Sequence, residues 1–172
     1  VSRLLAFYRG TGEDAAGRTL ADVWALDDDA MEFHHDFIQW MFPLEEPSRF
    51  NFQAPVLDEE DLRAFRDDPA LRENLLRSFD RFLAFLGLAR EDDTVAPAAD
   101  FESKRGIFLS PDHNWLRITR VLTSLRLLGL GEQSKAFHQA LLRLMEEGRA
   151  RITPETRRYW AAATDPALAE RE

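Results

Sequence analysis

The chain has 172 residues, a formal charge of −9, 45% hydrophobic residues, thirteen Phe, four Trp and no cysteine. That apolar and aromatic content excludes a disordered chain and suffices for one domain with a sizeable core. The acidic balance speaks against a nucleic-acid partner, and the lack of cysteine excludes disulfides, thiolate metal sites and cysteine nucleophiles.

No apolar run is long enough for a transmembrane segment; the longest, around Phe82–Ala89, falls well short. The first ten residues, VSRLLAFYRG, carry no long apolar stretch with a small-residue cleavage site, so no signal peptide is expected. The expected location is cytoplasmic.

Strand signals are nearly absent: there are few β-branched residues, no alternating runs and no Asn-Gly or Asp-Gly turn. Helix signals recur along the chain. Phe7-Tyr8 is placed ahead of the first helix, and Thr19 caps a short helix to Leu26. Three carboxylates at Asp27–Asp29 suit the positive end of a helix over Asp28–Phe42, which Pro43 stops. Pro47, Asn51 and Pro55 make Leu44–Pro55 an ordered aromatic loop. Asp58 caps a helix through Phe65. Asp68-Pro69 then opens an apolar-striped helix (Leu71, Leu75, Phe79, Phe82, Leu83, Leu86) that Gly87 closes.

Residues 88–111 read as a loop with one helical turn around Asp100–Arg105. Asp112 caps a helix that ends at Gly129 or Gly131, a further helix spans Ser134 to Glu147, and Thr153-Pro154 opens a last one to about Ala163. The predicted fold is all-α, a single compact domain of six or seven helices over residues 1–163, with a charged, frayed tail at 164–172.

Wound at about 100° per residue, the helix His113–Leu128 places His113, Arg117, Arg120 and Ser124 in one stripe roughly 60° wide. Leu116 and Leu127 flank it on one side, Val121 and Leu128 on the other, and Trp115, Ile118, Leu122 and Leu125 face the opposite way. Two arginines and a histidine walled by leucines belong to a helix surrounded by others. The guanidinium forks either bond internally to carboxylates or helix C-termini, or grip the carboxylate or phosphate of a ligand.

Other candidate chemistry is weak. Adjacent His34-His35 point about 100° apart on a helix and are poor joint ligands, so no metal site is expected. On the continuous helix His34 falls in the apolar arc as a core histidine, whereas Glu32, His35, Asp36 and Gln39 share a polar face. The carboxylate clusters Asp27–Asp29, Glu45-Glu46, Asp58–Asp61 and Glu91–Asp93 read as caps or solvated faces. Gly10-Thr11-Gly12 lacks the Lys-Ser/Thr of a phosphate loop, and no Gly-X-Ser-X-Gly is present. No catalytic residue and no cofactor are assigned. Trp40, Phe42, Phe50 and Phe52 bracket the proline loop and either line a groove or lock the loop onto the core.

Two segments, His35-Asp-Phe-Ile-Gln-Trp-Met-Phe-Pro43 and His113-Asn-Trp-Leu-Arg-Ile-Thr-Arg-Val-Leu122, resemble the signature blocks of the opioid growth factor receptor conserved region. Phe7-Tyr8-Arg9 and Asn51-Phe52 add to the match, which spans roughly Leu4 to Glu147. The resemblance implies an all-α domain and a receptor role. Animal members are described as binding an enkephalin peptide and restraining growth from a nuclear or perinuclear location, and they are unrelated to seven-helix opioid receptors. The chain has no counterpart of their repeat-bearing tail or basic localisation clusters. It resembles a minimal member of microbial type, for which an enkephalin ligand is not expected. The resemblance marks His35, Gln39, Trp40, Asn114, Arg117 and Arg120 as family positions and brings no catalytic residue.

The leading expectation is a non-enzymatic binding domain that holds a peptide or small anion between the His35–Trp40 and His113–Arg120 helices. Its expected ligand residues are His35, Gln39, Trp40, His113, Asn114, Arg117 and Arg120. One alternative is a structural or protein-interaction module whose signature residues only specify the fold. Another is an enzyme on an anionic substrate, with His113 or His35 as its acid or base.

Overall fold

The computed structural model describes residues 2–171, with side chains to residue 168. Short helices open the chain: α1 (Arg3–Tyr8), α2 (Leu20–Trp24), α3 (Asp28–Phe33), α4 (Ile38–Met41) and α5 (Glu59–Asp67). The long helix α6 (Pro69–Leu86) leads into a hairpin, β1 (Leu88–Glu91) and β2 (Thr94–Pro97). A single turn, α7 (Phe101–Lys104), and a 3-10 turn (Arg105–Phe108) follow. Three helices, α8 (Asn114–Leu127), α9 (Gly131–Glu146) and α10 (Pro154–Thr164), complete the packing. A 3-10 segment (Pro166–Arg171) occupies the stretch expected as a frayed tail, whose last residue lies outside the described residues.

The all-α class holds. The helix count exceeds the expected six or seven because the first third of the chain is cut into short pieces. The best sequence signals reproduce their elements. Thr19 and Asp58 each form a capping box, with Asp22 and Asp61. Asp68 caps α6 with Pro69 in its first turn, and Gly87 ends it in the left-handed region at φ 81°.

α8 packs against both α9 and α10, with Trp115 and Trp160 edge-on at 6.4 Å. α6 meets α9 through Phe79 and Phe137, centroids 5.6 Å apart, and meets the end of α4 through Phe82 and Phe42 at 5.8 Å. Phe7 and Tyr8, expected ahead of the first helix, lie within α1 and are fully buried. The Tyr8 hydroxyl donates to the carbonyl of Met41 and lies 3.0 Å from Ser78 Oγ on α6. That serine also accepts the Trp24 indole N–H at 2.8 Å.

Three further sequence expectations are corrected. Residues 88–97, read as loop, form an antiparallel hairpin with Leu88 opposite Pro97 and Glu91 opposite Thr94. Its turn rests on Asp92 at φ 53°, a conformation that Asp tolerates better than most residues. Tertiary contacts hold it: Arg90 grips Asp80 through two bonds at 2.8 and 3.0 Å, and Arg143 donates to the buried Val95 carbonyl at 2.8 Å. In the second correction, α9 begins at Gly131 rather than Ser134.

The third correction positions the site. The helix expected over Asp28–Phe42 breaks at His34, which is extended at φ −84°, ψ 134°. In a continuous helix the Met31 and His34 carbonyls would accept from the N–H four residues on. Arg117 takes both of these carbonyls, at 2.8 Å each, and Gln39 Nε2 takes the carbonyl of His35 at 3.0 Å. Side-chain donors therefore replace the helical ladder where the chain turns.

Candidate functional site: a cavity between two signature segments

The His113–Ser124 stripe runs along the backbone of residues 31–43. His113 Nε2 meets Glu32 Oε1 at 2.8 Å. Arg117 bonds the Met31 and His34 carbonyls, Arg120 Nη1 donates to the Phe42 carbonyl at 3.1 Å, and Ser124 Oγ donates to the Pro43 carbonyl at 2.8 Å. Each stripe residue thus meets a group at an end of α3 or α4. The two arginines bond to carbonyls at C-terminal helix ends, where the helix dipole favours a cation.

Neither arginine forms a salt bridge among the described residues, so internal carboxylate pairing does not account for them. Arg117 is buried, and its guanidinium lies over Phe37 at 5.4 Å. Burial pushes its pKa down, and the more distant Glu32 and Asp112 carboxylates offset part of that. Among the described residues Arg120 has only the Phe42 carbonyl as partner, and burial pushes its pKa down to about 10.

Beside these arginines opens a cavity of about 460 Å³. Its polar wall includes His35, Gln39, His113, Arg117 and Arg120, and its apolar wall Ile38, Leu44, Phe50 and Leu116. The 43–57 loop forms one side, closed at its base by a bridge from Leu44 to Val56 and by the Leu57 N–H donating to the Leu44 carbonyl at 2.9 Å. Ser48 Oγ accepts from the N–H groups of Phe50 and Asn51 at 3.2 and 3.1 Å. Asn51 Nδ2 reaches Gln39 Oε1 and the Asp36 carbonyl, both at 3.4 Å, tying the loop to α4.

Five of the seven sequence candidates, His35, Gln39, His113, Arg117 and Arg120, line this cavity. Trp40 and Asn114 do not. Trp40 is 1% exposed and packs edge-on against Phe7 at 5.4 Å, on the α1 side of its helix. Asn114 is buried behind the wall, where its Nδ2 donates to Glu32 Oε2 at 3.0 Å. His34, expected in the core, is half-buried with its ring edge-on to Phe33, because the helix that placed it inward is broken. His35 faces His113, ring centroids 5.3 Å apart; partial burial and the nearby Arg117 and His113 charges lower its pKa.

Sequence reasoning missed Glu32 and Ser48 as parts of the site, whereas Phe50, one of the aromatics expected to line a groove or lock the loop onto the core, lines the cavity. Helical periodicity puts Glu32 on a polar face, and only the contact of α3 with the start of α8 reveals its partners His113 and Asn114. Leu116, read as a wall of the stripe, is 62% exposed at the rim.

The profile of the family described as "Opioid growth factor receptor (OGFr) conserved region" matches residues 5–160. The mouse opioid growth factor receptor is 39% identical over 110 residues, covering 62% of this chain and 17% of its own length. The human opioid growth factor receptor is 36% identical over 62% of this chain and 16% of its own length. Mouse opioid growth factor receptor-like protein 1 is 34% identical over 62% of this chain and 23% of its own length. The chain thus spans less than a quarter of these relatives. No solved structure matches it significantly. No helix among the described residues is long and apolar enough to cross a membrane. With both signature segments facing each other across the cavity and the profile matched over most of its length, the chain belongs to the opioid growth factor receptor conserved-region family.

Proposed function

We propose that this is a cytoplasmic, non-enzymatic binding domain of the receptor type for which its relatives are named. Its ligand is a peptide or small organic anion held between residues 35–40 and 113–120. The observation that carries this reading is the Arg120 guanidinium, substantially buried, bonded to one carbonyl and paired with no carboxylate among the described residues, at the wall of a 460 Å³ cavity. A charge in such a place is destabilising unless an anion meets it. Ile38, Leu44, Phe50 and Leu116 offer the apolar contacts that an organic ligand needs beside that anion. His35 and His113 serve as ligand contacts in this reading.

The test is a thermal-shift and fluorescence titration of the parent and Arg120→Met. The probes are 1-anilinonaphthalene-8-sulfonate, which joins an anion to an aromatic body, and short aromatic peptides with free or amidated C-termini. The reading requires the sulfonate or the free-acid peptides to stabilise the parent and leave Arg120→Met unmoved. Equal response of both proteins, or none, removes it. Exposed Phe50, Phe52 and Leu116 favour a second reading, an interaction module for another protein; concentration-dependent self-association in sedimentation velocity would support that instead.

A further inference from the structure

At the rim of the same cavity a second cluster has a chemistry of its own. Glu32 from α3, Asp112 and His113 each bring one possible ligand atom, and these atoms lie within 4.8 Å of one another. His113 Nε2 stands 2.8 Å from Glu32 Oε1, and its Nδ1 is 3.8 Å from Asp112 Oδ1. Two carboxylates therefore flank one imidazole, and neither carboxylate forms an ion pair with a lysine or arginine among the described residues.

We propose that Glu32, Asp112 and His113 bind one divalent first-row transition-metal ion, with zinc as the type probe. One nitrogen and two oxygens are a donor set zinc accepts, and three protein ligands leave a position open. The carboxylates are oriented beforehand: Asn114 Nδ2 holds the far oxygen of Glu32 at 3.0 Å, and the Asn114 N–H holds Asp112 Oδ1 at 2.8 Å. Asn114, completely buried, is thus a positioning residue for both, in the manner of outer-shell groups around known metal sites. The side chains of Glu32 and His113 are 45% and 42% exposed, so an ion has access and small rotations can replace their direct hydrogen bond with shared coordination. Because His113 also lines the cavity, the open position borders the ligand space. The adjacent His34-His35 pair is not part of this site.

Metal uptake is independent of the ligand reading and is measured without any ligand. The untagged chain, stripped with chelator and passed into a non-chelating buffer at pH 7.5, is titrated with zinc chloride by calorimetry and with cobalt chloride by visible absorption. The expected result is one ion per chain with a dissociation constant in the micromolar range or below, and a cobalt spectrum of low coordination number. His113→Ala and the double variant Glu32→Gln, Asp112→Asn each weaken zinc binding at least about tenfold, whereas His34→Ala leaves it unchanged. Circular dichroism confirms that each variant is folded, and the exposed His113 makes its variant the safer of the two. No saturable uptake by the parent, or uptake that His113→Ala leaves intact, overturns the proposal.

Discussion

Arg117 on α8 donates a 2.8 Å hydrogen bond to the carbonyl of Met31, 86 residues earlier in the chain. With its second bond, to His34, that guanidinium satisfies two carbonyls which the broken helix leaves without their ladder partners. Replacing Arg117 by Met keeps the stem and removes the donors. Hydrogen bonds to charged groups contribute about 1.5–3 kcal/mol, and stranded buried carbonyls add to the loss. Arg117→Met is therefore expected to lower the unfolding free energy by about 3 kcal/mol in urea denaturation. A loss under about 1 kcal/mol would show that the turn at His34 holds without Arg117.

Arg120, three residues on, should behave in the opposite way. Among the described residues it makes one carbonyl bond and meets no carboxylate that would offset the depression of its pKa by burial. Because its folded pKa lies below its unfolded value, the folded state holds this proton less firmly, so the charge costs stability throughout the neutral range. Arg120→Met should leave the unfolding free energy within about 1 kcal/mol of the parent or raise it, while abolishing the anion response. A variant destabilised as much as Arg117→Met would mean that Arg120 is structural.

Legibility from sequence followed the range of the interactions that fix each element. α6 was readable from end to end because Asp68, Pro69 and Gly87 act on their own backbone. The stripe of α8 was readable because helical periodicity is local. What the stripe faces was not, since it depends on donors meeting carbonyls about 80 residues away. The same distance hid the break at His34: residues 28–42 have good helical periodicity, and only tertiary donors make an extended residue acceptable there. The 88–97 hairpin is short, turns on Asp-Asp and is held by Arg90 and Arg143. The candidate cavity was legible as a pair of segments with Phe50 among the groove candidates, but the place of Ser48 in its loop wall was not.

Alkaline pH should expose the Tyr8 network. Burial pushes the Tyr8 phenol well above its ordinary value near 10, with Ser78 opposing in part. In the unfolded chain the phenol ionises near pH 10, while in the folded protein it stays neutral. The stability it contributes is complete below pH 10 and is lost as pH rises beyond it, by at most about 1.4 kcal/mol per pH unit. Tyr8→Phe should cost about 1 kcal/mol at pH 7 and flatten the decline between pH 9 and 11 relative to the parent. Parallel declines in the two proteins would remove Tyr8 as the source.

Phe50 separates binding from folding more cleanly than any charged residue in the cavity. It lines the cavity, yet it is 85% exposed, so its ring adds little to the core of the free protein. The loop that carries it is fixed independently, by Ser48, by Asn51 and by the Leu44–Val56 bridge. Phe50→Ala should therefore change the unfolding free energy by no more than about 0.5 kcal/mol. Burying that ring against the aromatic body of 1-anilinonaphthalene-8-sulfonate removes apolar surface from water, a gain of about 1–2 kcal/mol. Fluorescence titration should then show the affinity of the variant reduced about tenfold. If stability holds and affinity does not change, the sulfonate does not lie against the loop wall, and the apolar half of the proposed ligand site must be sought elsewhere.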